Sequence, residues 1–182
     1  RSPDRIRRQI LVPDFGRDVQ LLAGDAGGGD RRANGILIAV HFGGVDMRHA
    51  EIEAAGYRAQ WFGQKTYNGV ALLSKSDAAD VVRNIPGFAD ELARVITATV
   101  DGVRIVGGYF PNGQAPGTEK FEYKMQWLRG LRDWLREELA VHPKLVLMGD
   151  FNIAPEDRDV YDPIAWAGQI HCTPEEREHF KQ

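Results

Sequence analysis

The feature that most restricts the fold is a pair of β-branched runs at residues 93–110, ARVITATVDGVRIVGGYF. Asp101-Gly102 separates the two runs, and this dipeptide is typical of the type I′ turn that joins two antiparallel strands. A two-stranded hairpin is only marginally stable in water by itself. The chain must therefore place this hairpin in a larger sheet and cover that sheet with other elements.

A long amphipathic helix is predicted directly after the hairpin, at residues 119–140. Its apolar positions recur at the spacing that places them on one face; they are Phe121, Met125, Leu128, Leu131, Leu135 and Leu139. A strand at 144–149 follows, and a final helix is predicted from Thr173 as N-cap, with Pro174 in its first turn. Upstream, the sequence predicts strands at 35–42, 60–63 and 69–75 and a short helix at 50–57. Strands that alternate with helices indicate an α/β or α+β domain.

The composition is that of a soluble protein with one core. The 182 residues are 43% hydrophobic and 27% charged, and no apolar run approaches the roughly 20 residues of a membrane helix. The basic N-terminus is not followed by a signal-peptide core. A single cysteine, Cys172, excludes an internal disulfide and suits a reducing cytoplasm. Because the net charge is −3, any contact with nucleic acid must come from a local basic patch.

The first part of the chain has a different composition from the rest. Residues 1–48 contain eight arginines and six aspartates, but no lysine and no glutamate. The glycine run GDAGGGD at 24–30 lacks the Gly-Lys-Ser/Thr ending of a phosphate-binding loop. Polar, glycine-rich sequence gains little burial to offset its chain entropy. We therefore expect residues 24–34 to be poorly ordered.

The candidate site begins where a strand-like run enters polar residues, in KLVLMGDFNIAP at 144–155. A buried strand that simply closes in a turn is one explanation of such a pattern. In an extended segment, however, side chains two residues apart face the same way. Asp150 and Asn152 are thus predicted to point together, with Phe151 directed to the opposite side.

Three motifs occur together in this chain: GQKTYNGVALLSK at 63–75, GGYFPNG at 107–113 and GDFNIAP at 149–155. The combination resembles the exodeoxyribonuclease III family of abasic-site endonucleases, within the endonuclease/exonuclease/phosphatase superfamily. The resemblance runs from about residue 50 to the C-terminus, so we divide the chain into an unmatched, partly disordered N-terminal segment at 1–49 and a partial domain at 50–182. It implies an α/β (α+β) fold that forms part of a four-layer αββα sandwich, incomplete in this chain.

The resemblance also implies the roles of three catalytic residues. Asp150 would orient or deprotonate the attacking water, and Asn152 would hydrogen-bond the scissile phosphate, roles that suit a carboxylate and a fixed amide. Tyr109 matches the tyrosine whose phenol lies beside the phosphate, although a half-buried strand tyrosine is the structural alternative. The implied cofactor is Mg²⁺, with Mn²⁺ as an alternative, held by Asp150 and Asn152.

Contacts with DNA are implied for a further set of positions: Tyr67, Asn68, Arg94, Asn112 and Lys120. Lys124 lies one turn after Lys120 and would share its face, as two phosphate contacts require; an ordinary solvated helix face is the alternative for both lysines. Three tryptophans, Trp127, Trp134 and Trp166, are predicted to be core residues rather than platforms for base stacking.

The implied protein is a monomeric, cytoplasmic DNA-repair nuclease that hydrolyses phosphodiester bonds at abasic sites and 3′ ends of double-stranded DNA, with no membrane association. The alternatives are a phosphodiesterase for lipid or sugar phosphates and a catalytically silent remnant that binds DNA. The family's Leu-Gln-Glu motif, whose glutamate binds Mg²⁺, is not recognisable in residues 1–49, and its later Asp-and-Asn strand and closing Ser-Asp-His are not found before residue 182. We therefore expect residues 1–182 alone to show little or no Mg²⁺-dependent cleavage.

Overall fold

The computed structural model describes residues 20–24, 36–40, 49–64 and 68–182. The first sheet contains β1 (Gln20–Gly24), β2 (Ile36–Val40), β3 (Arg58–Gly63) and β4 (Gly69–Ser74), in the spatial order β1-β2-β4-β3. The second sheet contains β5 (Ala79–Arg83), β6 (Val95–Val100), β7 (Val103–Tyr109) and β8 (Leu145–Asp150), in the order β5-β6-β7-β8. The helices are α1 (His49–Ala54), α2 (Glu119–Val141), α3 (Pro163–Trp166) and α4 (Pro174–Lys181), with a 3₁₀ turn at Asp157–Asp159.

The predicted hairpin forms the centre of the second sheet. Asp101 and Gly102 have φ angles of 50° and 76°, the two positive values that a type I′ turn requires. β7 then pairs in parallel with β8, and parallel neighbours need a crossover connection, which α2 provides. This β-α-β unit confirms the α/β (α+β) prediction and brings the ends of β7 and β8 to one edge of the sheet.

Two hydrophobic clusters hold the layers together. One lies between the sheets and contains Val70 and Leu72 from β4 together with Ile105 and Tyr109 from β7. The other lies between the second sheet and α2, where Phe110 packs with several helix residues. Because side chains alternate along a strand, β7 supplies both clusters. The layers therefore stack as first sheet, second sheet and α2.

The structure corrects two of the core predictions. Leu139 is 53% exposed, whereas the other predicted apolar positions of α2 are buried or partly buried. Leu139 lies on the predicted face, but it lines an open apolar groove with Leu135 and Leu147, which leaves it exposed to solvent. Trp127 and Trp134 are core residues as predicted, but Trp166 is 42% exposed. It ends the short helix α3, which lies outside both clusters.

β1, β5 and α3 are elements that the sequence pattern did not indicate. β5 is short and mostly exposed, so it lacks the alternating apolar signal of a half-buried strand. β2 pairs with β4, which places residues before and after residue 49 in one sheet, and the division of the chain at that point stays a prediction. The segment expected to be poorly ordered, 24–34, lies outside the described residues after Gly24.

No helix in the described part of the chain has the length and apolar character of a membrane-crossing segment.

Candidate active site

The geometry at the end of β8 depends on Gly149, which has no side chain. Gly149 lies opposite Gly108 of β7 and has a φ of 142°, a region that side-chain-bearing residues rarely adopt. A Cβ at this position would collide with the carbonyl oxygen of Gly108. The glycine before Asp150 therefore allows the two strands to approach closely and carries the aspartate to the sheet edge. There the backbone N–H of Phe110 donates to the carbonyl of Asp150 at 2.9 Å.

Asp150 and Asn152 lie together, but not for the reason that the sequence suggested. β8 ends at Asp150, and Asn152 has a left-handed backbone with φ of 46°, so the alternation of an extended strand does not apply to it. Instead, the backbone N–H of Asn152 donates to Oδ1 of Asp150 at 3.0 Å. The side-chain Nδ2 of Asn152 donates to the carbonyl of Phe110 at 2.9 Å. These bonds orient both polar side chains.

Phe151 is directed to the other side of the sheet, as predicted. Its ring packs edge-on against Phe110 and Phe180, with centroid distances of 5.0 and 5.3 Å. Phe151, which lies between Asp150 and Asn152 in the sequence, thus anchors the loop after β8 to the hydrophobic core on the opposite face of the sheet.

Tyr109 lies on the same face of the second sheet as Asp150. The two residues are partners in the parallel register of β7 and β8, and Tyr109 is only 8% exposed. Burial raises the pKa of the Tyr109 phenol; Arg94 opposes that rise, and the Asp150 carboxylate adds to it. The phenol is therefore protonated at neutral pH and can donate a hydrogen bond.

Arg94 is packed against this tyrosine. It is 9% exposed, and its guanidinium lies 5.1 Å from the ring centroid of Tyr109 and 5.8 Å from that of Tyr123. Nη1 donates to the carbonyl of Tyr109 at 3.3 Å, and Nε donates to the hydroxyl of Tyr123 at 3.1 Å. Arg94 thus packs against Tyr109 and bonds to its carbonyl. The predicted contact of Arg94 with DNA stays a prediction.

An open cleft of about 640 Å³ adjoins Asp150 and Asn152. Its other walls include Tyr161, Trp166 and His171. The side chain of Tyr161 is fully exposed. Tyr109 is not among the described lining residues of this cleft, although it shares a sheet face with Asp150.

His171 is a cleft residue that the sequence analysis missed, because no metal-type spacing or motif marks it. Oδ1 of Asn112 accepts from the backbone N–H of Gln114 at 3.0 Å, so Nδ2 of Asn112 faces Nε2 of His171, 3.0 Å away. Burial lowers the pKa of His171, and the Lys124 ammonium lowers it further, whereas Glu176 and Asp150 raise it. The imidazole is thus neutral at pH 7, with Nε2 as the acceptor.

The remaining predicted contact residues are spread around the sheet edge. Asn112 and Lys120 are exposed. Nδ2 of Asn68 donates to Oε1 of Gln64 at 3.0 Å, and the same oxygen accepts from the backbone N–H of Ala93, which places the Asn68 turn beside Arg94. Tyr67 lies outside the described residues.

The prediction that Lys124 shares an exposed face with Lys120 is wrong. Lys124 is 0% exposed, and its ammonium contacts Oε1 of Glu176 at 2.5 Å. Glu176 belongs to α4, which packs over this part of α2. A helix face that looks solvated in the sequence is therefore covered by an element from a distant part of the chain.

The donors around Asp150 suit an open metal site rather than a closed one. Among the described residues, no group of three or more His, Cys, Asp or Glu side chains could hold a metal ion. Asp150 supplies one carboxylate, and Asn152 has an amide oxygen turned away from Phe110. Mg²⁺ commonly binds through one or two carboxylates and keeps its other positions for water and substrate phosphate, so these two donors fit such an ion.

The site combines a carboxylate, an oriented amide and a protonated phenol at one sheet edge, next to an open cleft. A carboxylate can accept a proton from water, while amide and phenol groups can donate to a developing anion. Such groups could together activate a water molecule and stabilise negative charge on an ester.

A sequence profile described as the Endonuclease/Exonuclease/phosphatase family matches residues 13–171, and the chain belongs to that family. The matched range begins at residue 13, upstream of residue 50, where the resemblance identified in the sequence begins.

Individual relatives agree with this assignment. The chain is 31% identical to exodeoxyribonuclease III of Haemophilus influenzae over 142 residues, which cover 71% of this chain and 53% of that protein. Among solved structures, the 3′-5′ exonuclease NExo from Neisseria meningitidis has a TM-score of 0.76 at 39% identity, covering 92% of this chain and 60% of that one. An AP endonuclease from Archaeoglobus fulgidus has a TM-score of 0.70 at 30% identity, covering 75% and 53%. The chain thus spans about half the length of the curated relatives it matches.

Proposed function

We propose that this protein is a DNA-repair phosphodiesterase that hydrolyses backbone bonds at abasic sites and 3′ ends. The observation that carries the proposal is the arrangement of Asp150, Asn152 and Tyr109 at the paired ends of β7 and β8. The similar proteins support the choice of DNA, since they include an exodeoxyribonuclease III, an AP endonuclease and a 3′ phosphatase, NExo, whose structure is bound to a product DNA hairpin.

Asp150 is the residue that we assign to the water. Its Oδ1 accepts from the backbone N–H of Asn152, which holds the carboxylate in one orientation and leaves Oδ2 to accept a proton. General-base help of this kind contributes roughly 10²–10⁴-fold to a reaction rate. The acid stands at the end of a strand, so its position does not depend on a long loop.

Asn152 and Tyr109 are the donors that we assign to the phosphate. One N–H of the Asn152 amide is bonded to Phe110, and the amide has a second N–H for a phosphate oxygen. The phenol of Tyr109 keeps its proton because burial raises its pKa. Fixed donors stabilise charge that develops in a transition state without reorganising at that moment.

We also propose that Mg²⁺, or Mn²⁺, is held by Asp150 and the amide oxygen of Asn152. The ion, when bound, supplies positive charge that neutralises the phosphate. Asn68, Asn112 and Lys120 are the exposed or turn residues that we assign to the DNA, together with Arg94 and Tyr67. We propose a cytoplasmic monomer, which size-exclusion chromatography and fractionation would test.

The test is cleavage of a fluorescent duplex with one abasic site by purified chain 1–182 in Mg²⁺, beside Asp150→Asn. We expect little or no cleavage by residues 1–182, because the described residues offer the metal only one carboxylate. Any cleavage that is measured should disappear in Asp150→Asn and on chelation. Faster hydrolysis of a phospholipid headgroup than of DNA would contradict the proposal in favour of another superfamily activity. Salt-sensitive DNA binding without any turnover would favour a silent DNA-binding remnant.

A further inference from the structure

Lys124 and Glu176 form an ion pair that is completely shielded from solvent. Both side chains are 0% exposed, and Nζ lies 2.5 Å from Oε1 of Glu176. The ammonium has three N–H donors and no acceptor. The other two donors reach the backbone carbonyls of Asn152 at 2.7 Å and Asn112 at 3.2 Å. All three donors of this lysine therefore have partners within the protein.

The two carbonyls belong to the loops that build the site. Asn112 lies in the loop after β7, and Asn152 lies in the loop after β8. Asn152 also donates its backbone N–H to Asp150 and its side-chain Nδ2 to the carbonyl of Phe110. A single buried ammonium thus connects the loops after both strands and bonds directly to the residue that orients Asp150.

The backbone around Lys124 is adapted to the presence of this side chain. Gly113 has a φ of 89°, and a Cβ at that position would lie 2.9 Å from Cδ of Lys124 and 2.9 Å from Cδ1 of Ile170. A larger residue at 113 would therefore collide with the lysine stem and adopt a strained backbone. Because Gly113 has no side chain, the stem of Lys124 can pass beside it and reach the two carbonyls.

The carboxylate of Glu176 is held as firmly as the ammonium. Its Oε2 accepts from the backbone N–H of Thr173 at 3.1 Å and from Oγ1 of Thr173 at 2.8 Å. These bonds belong to the capping box that begins α4. Because one carboxylate oxygen caps the helix and the other contacts Lys124, the start of α4 is tied to both loops of the site.

We propose that Lys124 and Glu176 are a positioning pair, which sets the conformation of Asn152 and through it the orientation of Asp150, without contacting substrate. The catalytic consequence rests on the proposed function, whereas the positional consequence does not. Complete burial excludes a phosphate contact by Lys124. The acceptors identify its role, because they are main-chain atoms of two candidate site residues rather than atoms of the sheet core.

The first test measures amide exchange by NMR in the full 182-residue chain and in Lys124→Met. The matched control is Arg104→Met, because Arg104 is 3% exposed and pairs with Glu138, while its guanidinium otherwise bonds to Asp80 and Thr99, away from the site. Rates are expressed relative to the amides of the central strand β6, which corrects for any change in global stability.

We expect the backbone amide of Asn152 to exchange at least about tenfold faster in Lys124→Met. The Asn152 side-chain amide resonances should shift in that variant, and both signals should be unchanged in Arg104→Met. Glu176→Gln retains the lysine's bonds to the two carbonyls and should change the Asn152 rate less than Lys124→Met does. Equal relative rates at Asn152 in the Lys124 and Arg104 variants would overturn the proposal.

A double variant covers the case in which Lys124→Met does not fold. Lys124→Met combined with Glu176→Gln removes both buried charges at nearly constant volume, which proteins often tolerate. It still deprives the carbonyls of Asn112 and Asn152 of their donor, so faster exchange at Asn152 is again expected. Wild-type exchange at Asn152 in this double variant would equally overturn the proposal.

The second test separates this inference from the proposed function. In a DNA cleavage assay, Lys124→Met should lower kcat while leaving the salt dependence of DNA binding unchanged, whereas loss of a phosphate contact would reduce the salt slope by about one. If DNA is hydrolysed more slowly than a phospholipid headgroup but Asn152 exchange accelerates in Lys124→Met, the proposed function fails and the positioning role stands. If Asp150→Asn abolishes cleavage while Lys124→Met matches wild type in kcat and exchange, the positioning role fails alone.

Discussion

Two ion pairs lie at opposite ends of α2. They have similar burial, but their cations bond to different parts of the molecule. Near its start, Lys124 pairs with Glu176 of α4, with both side chains 0% exposed. Near its end, Glu138 pairs with Arg104 of β7, with the two side chains 17% and 3% exposed. In both places a cation is removed from water and is satisfied by one carboxylate and two further acceptors.

The acceptors show how the two pairs differ. Arg104 bonds to the carbonyl of Asp80 and the hydroxyl of Thr99, so it ties α2 to β5 and β6 in the body of the sheet. Lys124 bonds to the carbonyls of Asn112 and Asn152, which belong to loops at the cleft. Burial alone would not distinguish a stabilising pair from a positioning pair. The location of the atoms that accept hydrogen bonds from each cation does distinguish them.

The largest expected effect concerns chemistry at the cleft end. Asp150→Asn removes the proton acceptor while keeping the shape and a side-chain oxygen for the Asn152 N–H. We expect the low DNA cleavage of the unmutated chain to fall to background, since general-base help contributes about 10²–10⁴-fold to a rate, with little change in unfolding free energy. Cleavage rates and urea denaturation of the same samples measure the two quantities.

Arg104→Met serves as the control for this prediction, because Arg104 of β7 contacts α2 at the end of that helix far from the cleft. It should lower stability while leaving the cleavage rate per folded molecule unchanged. A cleavage rate in Asp150→Asn equal to that of the unmutated chain would remove Asp150 from the site.

The next largest effect is on the free energy of unfolding, which allows a direct comparison of the two ion pairs. Removing one partner of a buried pair leaves an uncompensated charge and costs about 3–5 kcal/mol. We expect Lys124→Met to lie in that range and Arg104→Met to cost less, since Glu138 keeps some contact with water and can be hydrated. Urea denaturation followed by circular dichroism measures both values.

The order of these two costs is the informative result. A larger loss for Arg104→Met than for Lys124→Met would mean that the far end of α2 is the more strongly coupled one. The comparison between the two ends would then have to be reversed.

A smaller effect is expected at the helix caps, where two threonines provide a matched pair. Thr173 caps α4 and also bonds to Glu176, whereas Thr118 caps α2 by accepting from the N–H of Phe121. Replacing an N-cap threonine with alanine costs about 0.5–2 kcal/mol. Thr173→Ala should lie near the upper limit because it also loosens the Lys124 pair, and Thr118→Ala should cost about 1 kcal/mol. Equal losses in thermal or urea denaturation would show that the cap and the ion pair act independently.

The smallest effect is a pH dependence of α4. Burial lowers the pKa of His179, and Arg129 and Arg132 lower it further, so the folded state binds this proton less readily than the unfolded state does. Stability is therefore retained above the ordinary histidine pKa of about 6.5 and declines as pH falls through the lowered value. Urea denaturation between about pH 7.5 and pH 5 should show a shallower decline in His179→Gln than in the unmutated chain. Identical slopes would exclude His179 as the group responsible.

Local patterns in the sequence determined the framework of the second sheet and the start of its last helix. The turn at Asp101-Gly102, the apolar face of α2 and the Thr173 cap each depend on residues within a few positions of one another. Such signals are readable because turn geometry and helical periodicity are local properties. The motifs also indicated Tyr109, Asp150 and Asn152 as candidate site residues, and the parallel pairing of β7 with β8 then brought the ends of those strands to one edge.

Tertiary structure alone decided what surrounds those residues. Trp166 is exposed because α3 packs on neither hydrophobic cluster, and Asn152 lies beside Asp150 through a left-handed turn rather than strand alternation. Lys124 is buried because Glu176, 52 residues further along the chain, brings a carboxylate and a helix over it. A lysine on an amphipathic helix has the same local sequence whether water or a distant carboxylate neutralises its charge. Its environment is therefore a property of the folded chain, since it depends on packing between elements that no short stretch of sequence contains.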